Sequence, residues 1–200
     1  MAEEQIMEFP VLQTEHLLLR EWTDDDAENL IEIFGHESVV QYTSNDAYKT
    51  HEDGMRRVEG SRYFFHEKNM GITWGIFERE SGKVLGDIDF TYTAKNHFRV
   101  ILGCSFKPDA WGKGIATEAL HEVIRYGFED FPLFKINRLE ADVDPRNTSA
   151  IKLLERVGFK NEALLRQYYF ERGKFVDKHF FGLLREDWDA MSFRTERVAK

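Results

Sequence analysis

Apolar positions between residues 72 and 107 fall into three β-favouring runs, near 72–79, 84–93 and 98–107, with Glu80-Ser81-Gly82-Lys83 as a turn between the first two. Past residue 107 the period changes. Ala119, Leu120, Val123, Ile124, Tyr126 and Phe128 recur at helical spacing and predict a helix over about 115–130. By the same reading a strand lies near 14–22, helices near 24–35 and 50–68, and a further strand near 136–143. A helix near 147–157 carries Ile151, Leu154 and Val157 on one face and stops at Gly158, and two last strands flank the turn Glu171-Arg172-Gly173-Lys174. Strands and helices interleaved in this order predict one mixed α/β sheet.

The change of period after residue 107 also carries chemistry. The strand stops at Pro108, the chain passes Gly112-Lys113-Gly114, and a helix begins at once. Glycines there let a ligand approach the main chain, and the unpaired N–H groups of a helix's first turn favour an anion. No Gly-Lys-Ser or Gly-Lys-Thr follows at the Walker spacing, and Gly-x-Gly-x-x-Gly is missing as well, which argues against nucleotide triphosphatase and dinucleotide sites. A tight turn without any ligand explains the two glycines equally well.

A second segment tips the balance. Asp144-Pro145-Arg146-Asn147-Thr148-Ser149-Ala150 supplies turn and cap residues, and the helix that follows ends in Gly158-Phe159. Together the two segments resemble the acetyl-CoA-binding core of the GCN5-related N-acetyltransferases, the GNAT superfamily. Trp111-Gly112-Lys113-Gly114-Ile115-Ala116-Thr117-Glu118-Ala119-Leu120 and the Asn147 helix, with Leu153-Leu154-Glu155-Arg156 before Gly158, are similar to the RimJ/RimL branch, whose best-known members acetylate protein N-termini. Thr14-Glu15-His16-Leu17-Leu18-Leu19-Arg20, followed by Thr23-Asp24-Asp25-Asp26-Ala27, looks like the opening strand and first helix of that branch. Gly173-Lys174-Phe175-Val176-Asp177 and Leu183-Leu184-Arg185-Glu186-Asp187-Trp188 look like its closing hairpin and strand. The resemblance covers residues 12–188, so 1–11 and 189–200 read as tails around one N-acetyltransferase domain.

The resemblance implies a single GNAT-type domain of α/β (α+β) class, its mixed central sheet bearing helices on both faces and a splayed cofactor cleft. It implies acetyl-CoA as the acyl-donor cosubstrate. A strand N–H around Cys104, Ser105 and Phe106 would face the thioester carbonyl, and the loop of Trp111, Gly112, Lys113, Gly114, Ile115, Ala116 and Thr117 would hold the pyrophosphate. Asn147 would bond the pantetheine arm or a nearby backbone group, although as plain chemistry it is equally a helix N-cap. Coenzyme A is anionic and the chain is acidic, so a local basic patch is needed. Lys107, Lys113, Arg146, Lys152 and Arg156 lie in or beside the two segments.

The catalytic groups are harder to place. Leu154 stands where many superfamily members carry a tyrosine that protonates the leaving thiolate, and Ile101 stands near a position where a glutamate occurs in the branch. Ser149 precedes the usual serine place, now Ala150, by one residue, which turns its side chain by about 100° on a helix. Tyr168, Tyr169 and Asp89 are the remaining candidates, with Asp87 two residues away on the same strand face. Packing accounts for the tyrosines and structural hydrogen bonding for the aspartates just as readily. Without a strong base, the acceptor's own pKa matters. At pH 7 deprotonation costs about 1 kcal/mol for an α-amine but about 4.6 kcal/mol for lysine. The expected reaction is therefore direct attack of a protein N-terminal α-amine on the thioester, with a ribosomal protein among the acceptors the resemblance implies. A small amine (polyamine, amino acid or antibiotic) and a noncatalytic acetyl-CoA-binding module are the alternatives. A covalent route through Cys104 is disfavoured, because free cysteine usually serves as a small buried apolar residue.

Bulk properties narrow the rest. Two hundred residues suit one domain, and a net charge of -9 argues against nonspecific DNA binding. No apolar run approaches the roughly 20 residues that span a bilayer, and the N-terminus lacks the basic and apolar blocks of a signal peptide. A cytoplasmic protein without a membrane partner is expected, as monomer or homodimer. One cysteine and seven histidines, none at HExxH spacing, imply no metal.

Overall fold

The computed structural model describes residues 7–92 and 95–191. The apolar runs become the strands of one sheet. The short β1 (Leu12–Gln13) pairs with β2 (Leu17–Glu21), which continues through β3 (Gly71–Glu78) and β4 (Val84–Thr91) to β5 (Arg99–Phe106), every neighbour antiparallel. After β5 the direction rule changes. The next strand, β6 (Arg138–Val143), runs parallel to β5, and the long hairpin of β7 (Lys160–Glu171) and β8 (Lys174–Leu184) completes the order β1-β2-β3-β4-β5-β6-β8-β7. A parallel pair needs a crossover, which the intervening helix provides.

Six α-helices are present among the described residues: α1 (Ala27–Phe34), α2 (Glu37–Val40), α3 (His51–Arg62), α4 (Ile115–Arg125), α5 (Thr148–Arg156) and α6 (Arg185–Ala190). Strand side chains alternate between faces, and two apolar clusters result. Leu30, Ile33, Phe34, Val40 and Val58 of α1–α3 pack with Trp22, Phe77 and Val84 on one face. Leu120, Val123, Leu154, Val157 and Trp188 of α4–α6 pack with Leu19, Trp74, Ile88, Phe90 and Leu102 on the other. Each fully buried aliphatic or aromatic side chain of this kind contributes about 1.5–3 kcal/mol. The expected architecture, a single mixed sheet with helices on both faces, is the one observed.

Several boundaries differ, each for a local reason. The expected helix near 24–35 opens as a 3-10 turn, Asp24–Asp26, because Asp26 folds back to accept from Thr23 N–H at 2.9 Å. Helices near 50–68 and 115–130 both end in a wide π turn, Tyr63–Glu67 and Tyr126–Asp130. Of the segment from Leu183 to Trp188, expected as strand, only Leu183 and Leu184 are strand, and Arg185 to Trp188 are helix. β8 ends at Leu184, whose N–H donates to Asp187 at 3.3 Å, and that acidic cap starts α6. The two-residue β1 and four-residue α2 are too short to imprint a period. Residues 7–10 lie on the core: Met7 and Phe9 pack against it, and Trp74 Nε1 donates to the Pro10 carbonyl at 2.6 Å. Residues 1–6, 93–94 and 192–200 fall outside the described residues, and with them most of the two expected tails.

Candidate functional site

Strands β5 and β6 share only three pairs, Arg99 with Arg138, Val100 with Leu139 and Ile101 with Glu140. Beyond Ile101, β5 still pairs with β4 through Phe106, but its other edge no longer pairs with β6. This is the splay. The Lys107 N–H bonds the Leu85 carbonyl at 2.9 Å, and alternation down an antiparallel ladder then turns Ser105 and Gly103 toward β4 and Cys104 toward the gap. A backbone donor and acceptor at Cys104 therefore line an unpaired strand edge. Phe106 differs, since its ring is buried and its carbonyl accepts from Trp111 Nε1 at 2.8 Å.

The loop beyond β5 is built for exposure of main chain. Gly112 and Gly114 have φ of +73° and +81°, where a side chain is strained although neither position lacks space. Gly114 is the N-cap of α4 and offers no side-chain cap, so the first N–H groups of Ile115, Ala116 and Thr117 stay uncapped. Glu118, the acid in this first turn, is drawn aside by Thr14 Oγ1, by His16 N–H at 3.0 Å and by His16 Nδ1 at 3.1 Å. The Glu118 hydrogen bond raises the His16 pKa; for Glu118 these bonds outweigh burial and lower it. Trp111, Lys113 and Lys152 are exposed, and Arg156 Nη1 reaches Thr117 Oγ1 at 3.4 Å.

The basic patch is smaller than the sequence suggests. Lys107 is buried against Glu32, and Arg146 is held by Asp144 through Nε at 2.8 Å and Nη2 at 2.5 Å. Lys113 lies in the loop, Arg156 reaches the start of α4 at Thr117, and Lys152 is exposed on α5. Asn147 caps α5, its Oδ1 accepting from the Ala150 N–H at 3.1 Å. An unpaired strand edge leading to an uncapped helix terminus with cations nearby fits an extended polar molecule that ends in phosphates.

Across the sheet from α4 lies a second constellation. Asp87 and Asp89 share the α3 face of β4, and Arg57 of α3 binds both, with Nη2 at 3.0 Å from Asp87 Oδ2 and 2.7 Å from Asp89 Oδ2. Trp22 Nε1 also reaches Asp87, and Thr73 Oγ1 donates to Asp89 at 2.7 Å. Burial and the neighbouring Asp89 charge hold Asp87 above the usual carboxylate range despite Arg57. Burial alone would lower the Arg57 pKa, but the two carboxylates raise it. A cavity of about 360 Å³ opens between α3 and the ends of β3 and β4, lined by Tyr48, Arg57, Phe64, Ile72, Thr73 and Asp89 among others. Asp89 sits between this cavity and the splay: a Cβ placed on Gly103 would lie 4.0 Å from its Oδ2.

Tyr168 and Tyr169 lie on β7 at an irregularity between Leu165 and Tyr169, where Gln167 has φ of +53°. Their rings pack at 4.7 Å, Tyr168 against Phe180 and Tyr169 under Lys178. Partial burial, with Asp142 nearby, raises the Tyr169 pKa, so its hydroxyl keeps its proton. Thus the gap draws Cys104 and Asp89 to one place from neighbouring strands, while the tyrosines stand on the hairpin beyond β6. Arg57 escapes a reading of the sequence because Arg56-Arg57 looks like a solvated helix face. The signal was available in Asp87 and Asp89 themselves, since carboxylates on a central strand require a cation.

A family model described as "Acetyltransferase (GNAT) domain" matches residues 16–160. The uncharacterized N-acetyltransferase YoaA of Bacillus subtilis (strain 168) is 32% identical over 177 residues, covering 88% of this chain and 98% of its own. Among solved structures, ribosomal-protein-S5-alanine acetyltransferase from Vibrio fischeri superposes with a TM-score of 0.76 at 20% identity, covering 90% of this chain and 98% of that one. Spermidine N-acetyltransferase from Vibrio cholerae, in complex with CoA and spermine, gives 0.73 at 17% identity, covering 88% and 99%. These two structural likenesses are of fold, and their acceptors differ.

Proposed function

We propose that this chain, which belongs to the GNAT acetyltransferases and is an acetyl-CoA-dependent N-acetyltransferase, acts on a protein N-terminal α-amine in the manner of the RimJ/RimL branch. One observation carries the choice of acceptor. The carboxylate beside the gap, Asp89, has both oxygens engaged, by Arg57 and by Thr73, so the acceptor's own pKa weighs on the choice. An α-amine has a pKa of about 7.7–8.0 against about 10.4 for lysine, so at pH 7 only the former is deprotonated at modest cost.

When bound, acetyl-CoA supplies the acetyl group as a thioester. The Cys104 N–H, free of sheet pairing, is the donor we assign to the developing oxyanion. Residues 112–117 present their N–H groups to the pyrophosphate, with Lys113, Lys152 and Arg156 neutralising charge. Asn147, its oxygen engaged with Ala150, offers its amide hydrogens to the pantetheine arm. Trp111 fixes the loop to the end of β5 through Phe106. Tyr169, which retains its proton, is the donor we assign to the leaving thiolate, with Tyr168 packed beside it.

A second reading draws on the cavity next to Asp89, whose volume of about 360 Å³ suits a small amine. A thiol-release assay decides between them, using free N-terminal peptides, N-blocked lysine peptides, polyamines and aminoglycosides, with mass spectrometry of the product. Acetylation of free N-termini is expected. Turnover of lysine peptides or polyamines with free N-termini untouched would overturn the assignment. A ribosomal protein in the cytoplasm is the partner this reading favours.

A further inference from the structure

We propose that Asp142, on β6, takes the proton of the acceptor amine. The inference rests on the acetyl-transfer reading above and names a group that neither the motifs nor the candidate residues contain. Its basis is position. Counting on from the last β5–β6 pair, Ile101 with Glu140, puts Asp142 level with Gly103 on the far side of the splay. On the near side Gly103 pairs with Asp89. Leu139 and Ala141 point into the α4–α6 core, so by alternation Asp142 stands on the opposite face, the face of Asp89 and Arg57. Two carboxylates therefore flank the opening, one from each strand that parts.

They are not equivalent. Asp89 accepts from Arg57 and Thr73, whereas no side chain among the described residues donates to Asp142. The groups that face it are Lys178 of β8 and Glu171 and Tyr169 of β7, and the ammonium of Lys178 is itself taken by Glu171 at 3.0 Å. Burial, with the Glu171 charge, lifts the Asp142 pKa against the pull of Lys178. A half-buried carboxylate without a fixed cation is a better proton acceptor than one clamped by a guanidinium.

The step balances as follows. An ammonium proton passes from the acceptor nitrogen to a carboxylate oxygen of Asp142. The nitrogen pair then bonds the acetyl carbon while the carbon–sulfur bond breaks, the Tyr169 hydroxyl protonates the departing sulfur, and the second nitrogen proton restores Tyr169. Asp142 returns its proton to water, so one proton is released per turnover.

Asp142→Asn and Asp142→Glu test the role, assayed on whichever acceptor the wild-type chain uses. The Asp142→Asn variant should lower kcat by about a hundredfold and move the acid limb of the kcat profile up toward the amine's own pKa. The KM for acetyl-CoA, CoA affinity by calorimetry and the thermal midpoint should stay close to wild type, and Asp142→Glu should recover part of the rate. An acceptor already neutral at the assay pH should be almost insensitive to the change. Wild-type kcat and an unmoved acid limb in Asp142→Asn would overturn the proposal while leaving the acetyl-transfer reading intact. A loss of rate equal for charged and neutral acceptors would overturn it as well, since a merely structural aspartate gives that result. Failure of the wild-type chain to acetylate N-terminal peptides overturns the acceptor reading instead, and Asp142 is then judged on the amine that is acetylated.

Discussion

The two halves of the site are made of different materials. On the side proposed for the acyl donor the groups are main chain: the free edge of β5, two glycines at positive φ and the uncapped start of α4. On the side proposed for the acceptor they are side chains, a guanidinium between two aspartates and a third aspartate across the gap. A main-chain site depends on backbone angles and tolerates many neighbours, whereas a site of buried charges stands or falls on each partner. Substitutions of similar size should therefore cost folding stability on the acceptor side and ligand affinity on the donor side.

Arg57→Ala puts the largest strain on this contrast. It leaves Asp87, which is 1% exposed, without its cation, and breaking a buried pair in this way costs about 3–5 kcal/mol. Urea unfolding should register the loss. A shift below about 1 kcal/mol, the scale of an exposed ion pair, would mean that the triad is far less coupled than its geometry indicates.

Asp26→Asn comes next, at the base of the acceptor-side helices. Asp26 is 3% exposed and accepts from Arg20 twice, from Thr23 N–H and Oγ1, and from Asn29. Burial opposes its charge, but the hydrogen bonds from Arg20 and Thr23 outweigh burial and hold its pKa to about 2. The folded value lies below the unfolded one, so the stabilisation is present above about pH 3.9 and is lost as pH falls through the folded value. Its size is about 2.5 kcal/mol, from a shift of nearly two units. The variant should lose that much at pH 7 and show a flatter acid-denaturation curve than wild type.

The same contrast explains how much could be read from residues alone. The loop after β5 and the ends of α5 are legible because backbone geometry writes itself into sequence: Gly112 and Gly114 mark positive φ, Asn147 marks the start of α5, and Gly158 at φ +100° marks its end. The order of strands followed from runs of Val, Ile, Leu and Phe with turn residues between them. The acceptor side was only half legible. Asp87 and Asp89 could be placed on one strand face by period, but their partner Arg57 is 30 residues from Asp87, on a helix whose own pattern shows nothing special. Lys107 is a related case, since its carboxylate, Glu32, is 75 residues away, whereas Arg146 is captured by Asp144 only two residues before it. Charge pairing across a sheet leaves no local trace, whereas turns and caps do. The strand expected near 183–188 shows the same principle in reverse: Leu183 and Leu184 read as strand, and the cap that redirects the chain lies in Asp187.

Gly114→Val sharpens the donor half. Valine at φ +81° costs about 1–2 kcal/mol of stability, less than either acceptor-side change. CoA binding should nevertheless fall by at least about tenfold in calorimetry, because the backbone angle that aims the N–H groups of α4 at an anion can no longer be held. Unchanged CoA affinity in a folded variant would detach the loop from the donor.

Cys104→Ala should do least, and it separates main chain from side chain at a single residue. Cys104 is exposed as a residue, yet protein atoms crowd its sulfur, and burial together with Asp87 and Asp89 pushes its pKa up to about 12. At pH 7 the thiolate fraction is then on the order of one in 10⁵, which leaves little nucleophile for a covalent acyl route. The backbone N–H at the same position is untouched by the substitution. A kcat within about twofold of wild type and slow alkylation of the native chain by iodoacetamide are expected, for a group whose pKa lies this high. A loss of about a hundredfold or more, the scale of a lost catalytic group, would transfer the chemistry from the strand edge to the sulfur, and with it one residue of the donor half into the class of sites that depend on a side chain.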